Sequence, residues 1–177
     1  MKHRLTASAL ALAAAVTATP ATAEIVSRTP DGFTLRFTRT AMADAAAVPA
    51  SLTALPLWWD GAHSYTGEAA NLSLDLKPGG CWCEKMPDGS DFDHGRTVSV
   101  AADRILFHAP FGPLRGRATR ADLTMTWAEA ASGRVLTWTF EVEGPGVGAM
   151  AEAVDGVMDA GFRRWSNWLI TSSFPTG

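Results

Sequence analysis

The chain has only two cysteines, Cys81 and Cys83, and a single tyrosine in 177 residues. Two cysteines one residue apart exclude a disulfide-rich scaffold. Charge is also scarce: 19% of the residues are Asp, Glu, Lys or Arg, with a net charge of −3. That argues against a nucleic-acid binder, which needs a basic face. It also excludes a disordered chain, which would be more charged and less apolar. No apolar run reaches the roughly 20 residues of a membrane-spanning helix. What the chain has instead is tryptophan, seven residues, and a 47% hydrophobic content that suits one globular domain.

The first 23 residues carry the marks of a secretory signal peptide. Lys2, His3 and Arg4 are a basic start, Leu5 to Val16 is an uncharged alanine-rich run, and Ala21-Thr22-Ala23 is a small-residue cleavage site behind Pro20. The expected mature chain is residues 24–177, periplasmic or secreted, without a stable membrane span after cleavage. Loss of Lys2 and Arg4 brings its net charge to −5.

Hydrophobic periodicity divides the rest. Gly32 to Thr40 alternates, with Phe33, Leu35 and Phe37 on one face, as a half-buried strand does. Ala41 to Leu55 is helical in character, with Asp44 as a candidate N-cap. Pro49 inside it predicts two short helices, the second ending at Pro56. From residue 70 the period is two. Turns at Lys77–Gly80, Pro87–Ser90, Pro110–Gly116 and Ala131–Gly133, with a short polar turn between Val100 and Asp103, separate six short strands, which predicts an antiparallel sheet. After Pro145, the residues Met150, Val154, Val157, Met158, Gly161, Trp165, Trp168 and Leu169 follow spacings of three and four, so a helix of about six turns closes the chain.

Two segments stand out: Trp58-Trp59 followed by His63 and Tyr65, and Gly79-Gly80-Cys81-Trp82-Cys83-Glu84. With these segments, the text LWWDGAHSYTGEAANLSLDLKPGGCWCE and the C-terminal VDGVMDAGFRRWSNWL resemble the START/SRPBCC superfamily, in particular AHSA1-like and polyketide cyclase-like proteins exported by bacteria. The resemblance covers about residues 33–170. It implies an α+β helix-grip fold, with a curved seven-stranded antiparallel sheet around the long C-terminal helix and two short helices after the first strand. It also implies an apolar cavity between sheet and helix that holds hydrophobic molecules. Members include enzymes, carriers and protein-binding modules, so fold alone does not assign activity. A chaperone-stimulating role of the AHSA1 kind conflicts with export, because the ATP-driven chaperone is cytosolic.

On a strand, Cys81 and Cys83 share one face, and Trp82 and Glu84 share the other. An extended i,i+2 pair lies near or beyond the Cα limit of about 7 Å for a disulfide. The expectation is two reduced, buried, metal-free thiols lining the cavity. The alternative is a soft-metal or redox pair completed by His94 or His108. His63, in the loop after the double tryptophan, is placed at the cavity mouth. His94 is placed on a strand face with Phe92, Arg96 and Val98. An imidazole in such a cavity can serve as general acid or base, yet no convergent acid–base motif is present and no catalytic residue is assigned.

The expected ligand-binding set is Trp58, Trp59, His63, Cys81, Cys83, His94, Trp138, Phe140 and Trp165. The pocket itself is expected to touch Trp59, Trp138, Phe140 and Trp165, with Gly161 leaving room beside them. Gly144–Ala149 matches a dinucleotide-binding glycine pattern but has no following strand, so no nucleotide is expected. Asp88, Asp91 and Asp93 lack the glycine and terminal glutamate of a calcium loop. No cofactor, metal or nucleic acid is therefore expected. The reading is a binding protein for a lipid-like or aromatic molecule, with a cyclase- or hydratase-like enzyme in the same cavity as the alternative. Mass spectrometry of the exported protein is expected to find Glu24 or a near neighbour at the N-terminus; a soluble exported form that begins at Met1 would contradict the signal peptide.

Overall fold

A computed structural model describes residues 21–173 of the chain. The basic and apolar parts of the expected signal peptide lie outside the described residues. Eight strands form one antiparallel sheet: β1 (Thr22–Thr29), β2 (Gly32–Ala41), β3 (Leu72–Leu74), β4 (Cys81–Lys85), β5 (Asp91–Val100), β6 (Arg104–His108), β7 (Arg120–Ala130) and β8 (Gly133–Glu143). Their order across the sheet is β1-β2-β8-β7-β6-β5-β4-β3. Two short helices, α1 (Ala47–Thr53) and α2 (Leu55–Trp58), follow β2, and a long helix, α3 (Ala151–Ser173), ends the described chain. The sheet therefore has eight strands where seven were expected. The additional one is β1, an edge strand paired only with β2. Its residues are nearly all exposed, so it carries no apolar alternation by which it could be read. A cut after Ala23 would remove the first two residues of this strand.

The short helices also divide elsewhere than at the prolines. Pro49 lies in the first turn of α1, and Pro56 in the first turn of α2. A proline there removes an N–H that has no intrahelical partner. The break falls at Ala54, and Asp44 offers its backbone carbonyl to Ala47 rather than a side-chain cap.

The core sits between the inner face of the central strands and α3. Phe33, Leu35 and Phe37 of β2, Leu136, Trp138 and Phe140 of β8, and Leu123 and Met125 of β7 are buried there. From α3 they meet Phe162, Trp165 and Leu169. Trp138 stacks on Trp165 at 5.2 Å between ring centroids, and Phe162 meets Trp138 edge-on at 5.4 Å. Ser51 of α1 ties the helices together. Its carbonyl accepts the Trp58 indole N–H at 3.1 Å, and its hydroxyl accepts that of Trp165 at 2.9 Å while donating to the Val48 carbonyl at 2.7 Å. Truncating Trp138 would leave a void no neighbour fills, so Trp138→Ala is expected to cost about 3–5 kcal/mol in denaturant unfolding; a loss below about 1 kcal/mol would place this ring outside the load of the core.

Candidate functional site

The N-terminal half of α3 touches the edge strand β1, where Glu152 pairs with Arg28, but leaves space over the strands on its other side. Between it and the strands lies a cavity of about 620 Å³, within the range of small-molecule pockets. Met150, just before α3, and Val154, Val157 and Met158 of α3 form one wall. Trp59, Trp82 and Phe111 form the opposite aromatic wall. They pack edge-on or tilted, with centroids 5.6 Å apart for Trp59–Trp82 and 4.9 Å for Trp82–Phe111. Residues 112–114 and the loop segment 62–65 border the remainder.

Trp59 reaches this position because Gly161 is a glycine. A Cβ at residue 161 would lie 2.9 Å from the Trp59 ring, closer than side chains tolerate. Gly161 is thus the seat of an indole rather than open pocket, and a phenylalanine placed there would displace Trp59 instead of filling the cavity. Arg164, one turn along, pairs with Asp60 at 2.5 Å, and the Asp60 carboxylate caps the following helical turn by accepting the Ala62 amide at 3.0 Å. The double tryptophan thus splits its roles. Trp58 enters the core and Trp59 lines the cavity.

The polar centre of the site is Glu84, which is fully buried. Its carboxylate accepts the backbone N–H groups of Tyr65 at 2.9 Å and Thr66 at 2.6 Å, and it lies 2.8 Å from His94 Nε2. Burial pushes the carboxyl pKa up. Hydrogen bonds from the Thr66 hydroxyl, the Tyr65 and Thr66 amides and His94 outweigh burial and hold it at about 2 against the usual 4.5. Thr66 is itself fixed, since its hydroxyl oxygen accepts from Asn71 Nδ2 at 3.0 Å. An ionised Glu84 requires the proton on His94 Nε2, which leaves Nδ1 as the ring nitrogen turned away from the carboxylate. The ring is buried, lines the cavity, stacks on Tyr65 at 5.6 Å and meets Phe92 edge-on at 5.0 Å.

Phe92 stands opposite the inward Glu84, so alternation turns His94 inward too, and a β-bulge at this point turns the residues after it outward. Trp82 pairs with Gly95 and Cys83 with Asp93, which leaves His94 as the extra residue of β5. His94 therefore shares the inner side with Phe92 but not with Arg96 and Val98, which are exposed. Simple alternation through residues 92–98 could not foresee this shift.

Of the expected ligand-binding residues, Trp59, His63 and His94 line the cavity. Trp58, Trp138, Phe140 and Trp165 belong to the solid core instead, because the C-terminal half of α3 packs directly on the sheet. Cys81 and Cys83 are on the other face of β4, half-buried, while Trp82 and Glu84 point inward. The cysteines are not free thiols: they form a disulfide, with Cα atoms 5.2 Å apart. The break in register between Trp82 and Cys83 accompanies a span shorter than an extended pair would have, and it brings the two residues inside the range for a bridge. Closing so short a loop removes little chain entropy, about 1–2 kcal/mol against roughly 3 for a 15-residue loop. Missed altogether was Glu84. The only sequence signal for it was a lone acid at an inward position of a strand, flanked by residues that face outward. Among the described residues, no group of three or more His, Cys, Asp or Glu is placed to hold a metal ion, and no helix is long and apolar enough to cross a membrane.

No family model and no curated protein matches this chain. Solved structures do. An uncharacterised protein from Rhizobium leguminosarum is similar at 20% identity with a TM-score of 0.56, covering 85% of this chain and 98% of the other. A protein of unknown function from Enterococcus faecalis, EF2215, is similar at 12% identity with a TM-score of 0.58, covering 89% and 79%. The di-domain aromatase/cyclase StfQ of the steffimycin biosynthetic pathway is similar at 12% identity with a TM-score of 0.54. It covers 80% of this chain, which spans about half of StfQ. At these identities the likeness establishes a helix-grip fold.

The depressed Glu84 pKa has a definite pH signature. Because the folded value lies below the ordinary one, Glu84 contributes stability that is complete above pH 4.5 and is lost as pH falls toward about 2. Glu84→Gln turns an N–H toward the Tyr65 and Thr66 donors. It is expected to cost roughly 1–3 kcal/mol at neutral pH and to flatten the loss of stability across the acid window. Urea unfolding of both proteins from pH 2 to 7 checks this, and parallel acid profiles would contradict it.

Proposed function

We propose that this chain is an exported member of the SRPBCC superfamily, periplasmic or secreted, and binds a small hydrophobic molecule of lipid-like or aromatic kind in the cavity beneath the N-terminal half of α3. The observation that carries this reading is a cavity of about 620 Å³ walled by Trp59, Trp82, Phe111, Met150, Val154 and Val157, with a single buried polar pair, Glu84–His94, at its side. A site that is mostly apolar with few fixed polar groups selects ligands by shape and one oriented hydrogen bond. With Nε2 engaged by Glu84, His94 Nδ1 is the ring nitrogen left to meet a polar group of the ligand. The methionines add adaptable, polarisable surface. Support from relatives is limited to the shared fold with StfQ and uncharacterised proteins.

The same pair favours a second reading, a cyclase- or hydratase-like enzyme. An imidazole oriented by a carboxylate in an apolar site can serve as a general base. The two readings share the cavity and part on turnover.

An apolar fluorophore such as anilinonaphthalenesulfonate is expected to bind the purified protein at one site and to quench emission from Trp59 and Trp82. Val157→Trp fills the space from the helix side and is expected to weaken that binding at least tenfold with the fold retained. Equal affinity in the variant, or no binding to the native chain, would contradict the cavity as a ligand site.

A further inference from the structure

The Cys81–Cys83 disulfide is not used by the cavity, and its placement is unusual for a structural bridge. It joins no two elements. It links two residues of β4 that are already held by backbone pairing, Cys83 to Ser73 of β3 and Cys81 to Arg96 of β5. Its closed loop is the shortest kind, so opening it releases little chain entropy. It lies half-buried on the outer face of the sheet, within reach of a partner molecule. We propose that this bridge is a thiol-exchange site that takes a dithiol partner, and that its opening is felt in the cavity through Trp82 and Glu84.

The register supplies a direction for exchange. Arg96 stands opposite Cys81 and Asp93 opposite Cys83, and the two pair with each other on this outer face, so the cationic end of the pair lies at Cys81, where it favours a thiolate, and the anionic end at Cys83. The better leaving group is therefore the Cys81 sulfur. A partner thiolate attacks Cys83 Sγ, the Cys81–Cys83 bond breaks, and its electron pair stays on Cys81 as thiolate. The partner's second thiol loses its proton and attacks its own sulfur in the mixed disulfide, which releases Cys83. The partner leaves as a disulfide, oxidised by two electrons. Its two thiol protons pass to the solvent or to the two cysteines, now reduced.

Coupling follows from alternation along β4. The bridge holds the Cα atoms of residues 81 and 83 at 5.2 Å, whereas two residues of extended chain span roughly 6.6–7.2 Å. Trp82 lies between the cysteines and Glu84 follows them, and both point inward. Trp82 is part of the aromatic wall, and Glu84 holds the loop and His94. Lengthening this stretch moves the wall. The coupling rests on the cavity proposed above; the exchange does not.

The test uses the full mature chain, with and without dithiothreitol under native conditions, followed by iodoacetamide alkylation and mass spectrometry. Both cysteines are expected to alkylate only after reductant, with the far-ultraviolet circular dichroism unchanged. The Cys81→Ser variant, incubated with glutathione disulfide instead of dithiothreitol, is expected to carry one glutathione on Cys83, with one reduced glutathione released. Affinity for anilinonaphthalenesulfonate is expected to change at least threefold on reduction. The Cys81→Ser/Cys83→Ser variant should match the reduced protein and ignore dithiothreitol. Alkylation without reductant, or a bridge that opens only when the chain unfolds, overturns the exchange site. Exchange with unchanged probe affinity overturns the coupling. Absence of probe binding in either state removes the cavity reading and the coupling with it, while alkylation of the native chain still decides the exchange.

Discussion

The buried carboxylate of Glu84 is the constraint on which the site depends. It is a buried anion behind His94, at the side of a mostly apolar cavity, and such a charge persists only when its lone pairs are engaged. Here two backbone amides of the loop, a threonine hydroxyl and an imidazole engage it. One group thereby fixes three things: where the loop after the double tryptophan crosses the sheet, which nitrogen of His94 carries the proton, and which way that ring faces. The two segments that stand out in the sequence meet at this residue, since Tyr65 and Thr66 follow the tryptophans and Glu84 closes the Gly-Gly-Cys-Trp-Cys-Glu run.

The long helix is divided in function along its length. Its C-terminal half supplies Phe162, Trp165 and Leu169 to a solid core, and its N-terminal half, with Met150 just before it, supplies Val154 and Val157 to a void. Gly161 marks the boundary, where Trp59 lies flush against the helix and seals the cavity from the core. A helix that packed along its whole length would leave no room for a ligand. One that stood away along its whole length would forfeit the aromatic packing that stabilises the domain. This division explains how a chain of this size holds both a stable core and a cavity of about 620 Å³.

Much of the fold was legible because its elements are strictly periodic. Leu136, Trp138 and Phe140 alternate, and the apolar residues of α3 recur at three and four, so sheet and helix could be read directly. The edge strand β1 could not, because an exposed edge needs no apolar face. In the site, Trp59, His63 and His94 were legible from the unusual local text. Trp138, Phe140 and Trp165 were assigned to the wrong half of the helix–sheet interface, since periodicity tells which face is buried and not whether the partner touches it. Alternation along β4 was read correctly, but the cysteine face was taken for the cavity face, while Arg96 and Val98 were set beside His94 because a bulge adds a residue to β5 where it pairs with β4. Glu84 escaped notice because nothing in a single sequence marks an inward acid whose partners arrive from a loop eighteen and nineteen residues earlier.

The central claim is that the space beside Glu84 and His94 exists to be occupied by a hydrophobic molecule. Native mass spectrometry of the protein purified from its own cells without detergent tests this most directly. The account predicts a one-to-one adduct that is released into organic solvent and is absent from Val157→Trp. A native chain that carries only its own mass, and takes up no adduct when offered a lipid extract of those cells, would contradict it.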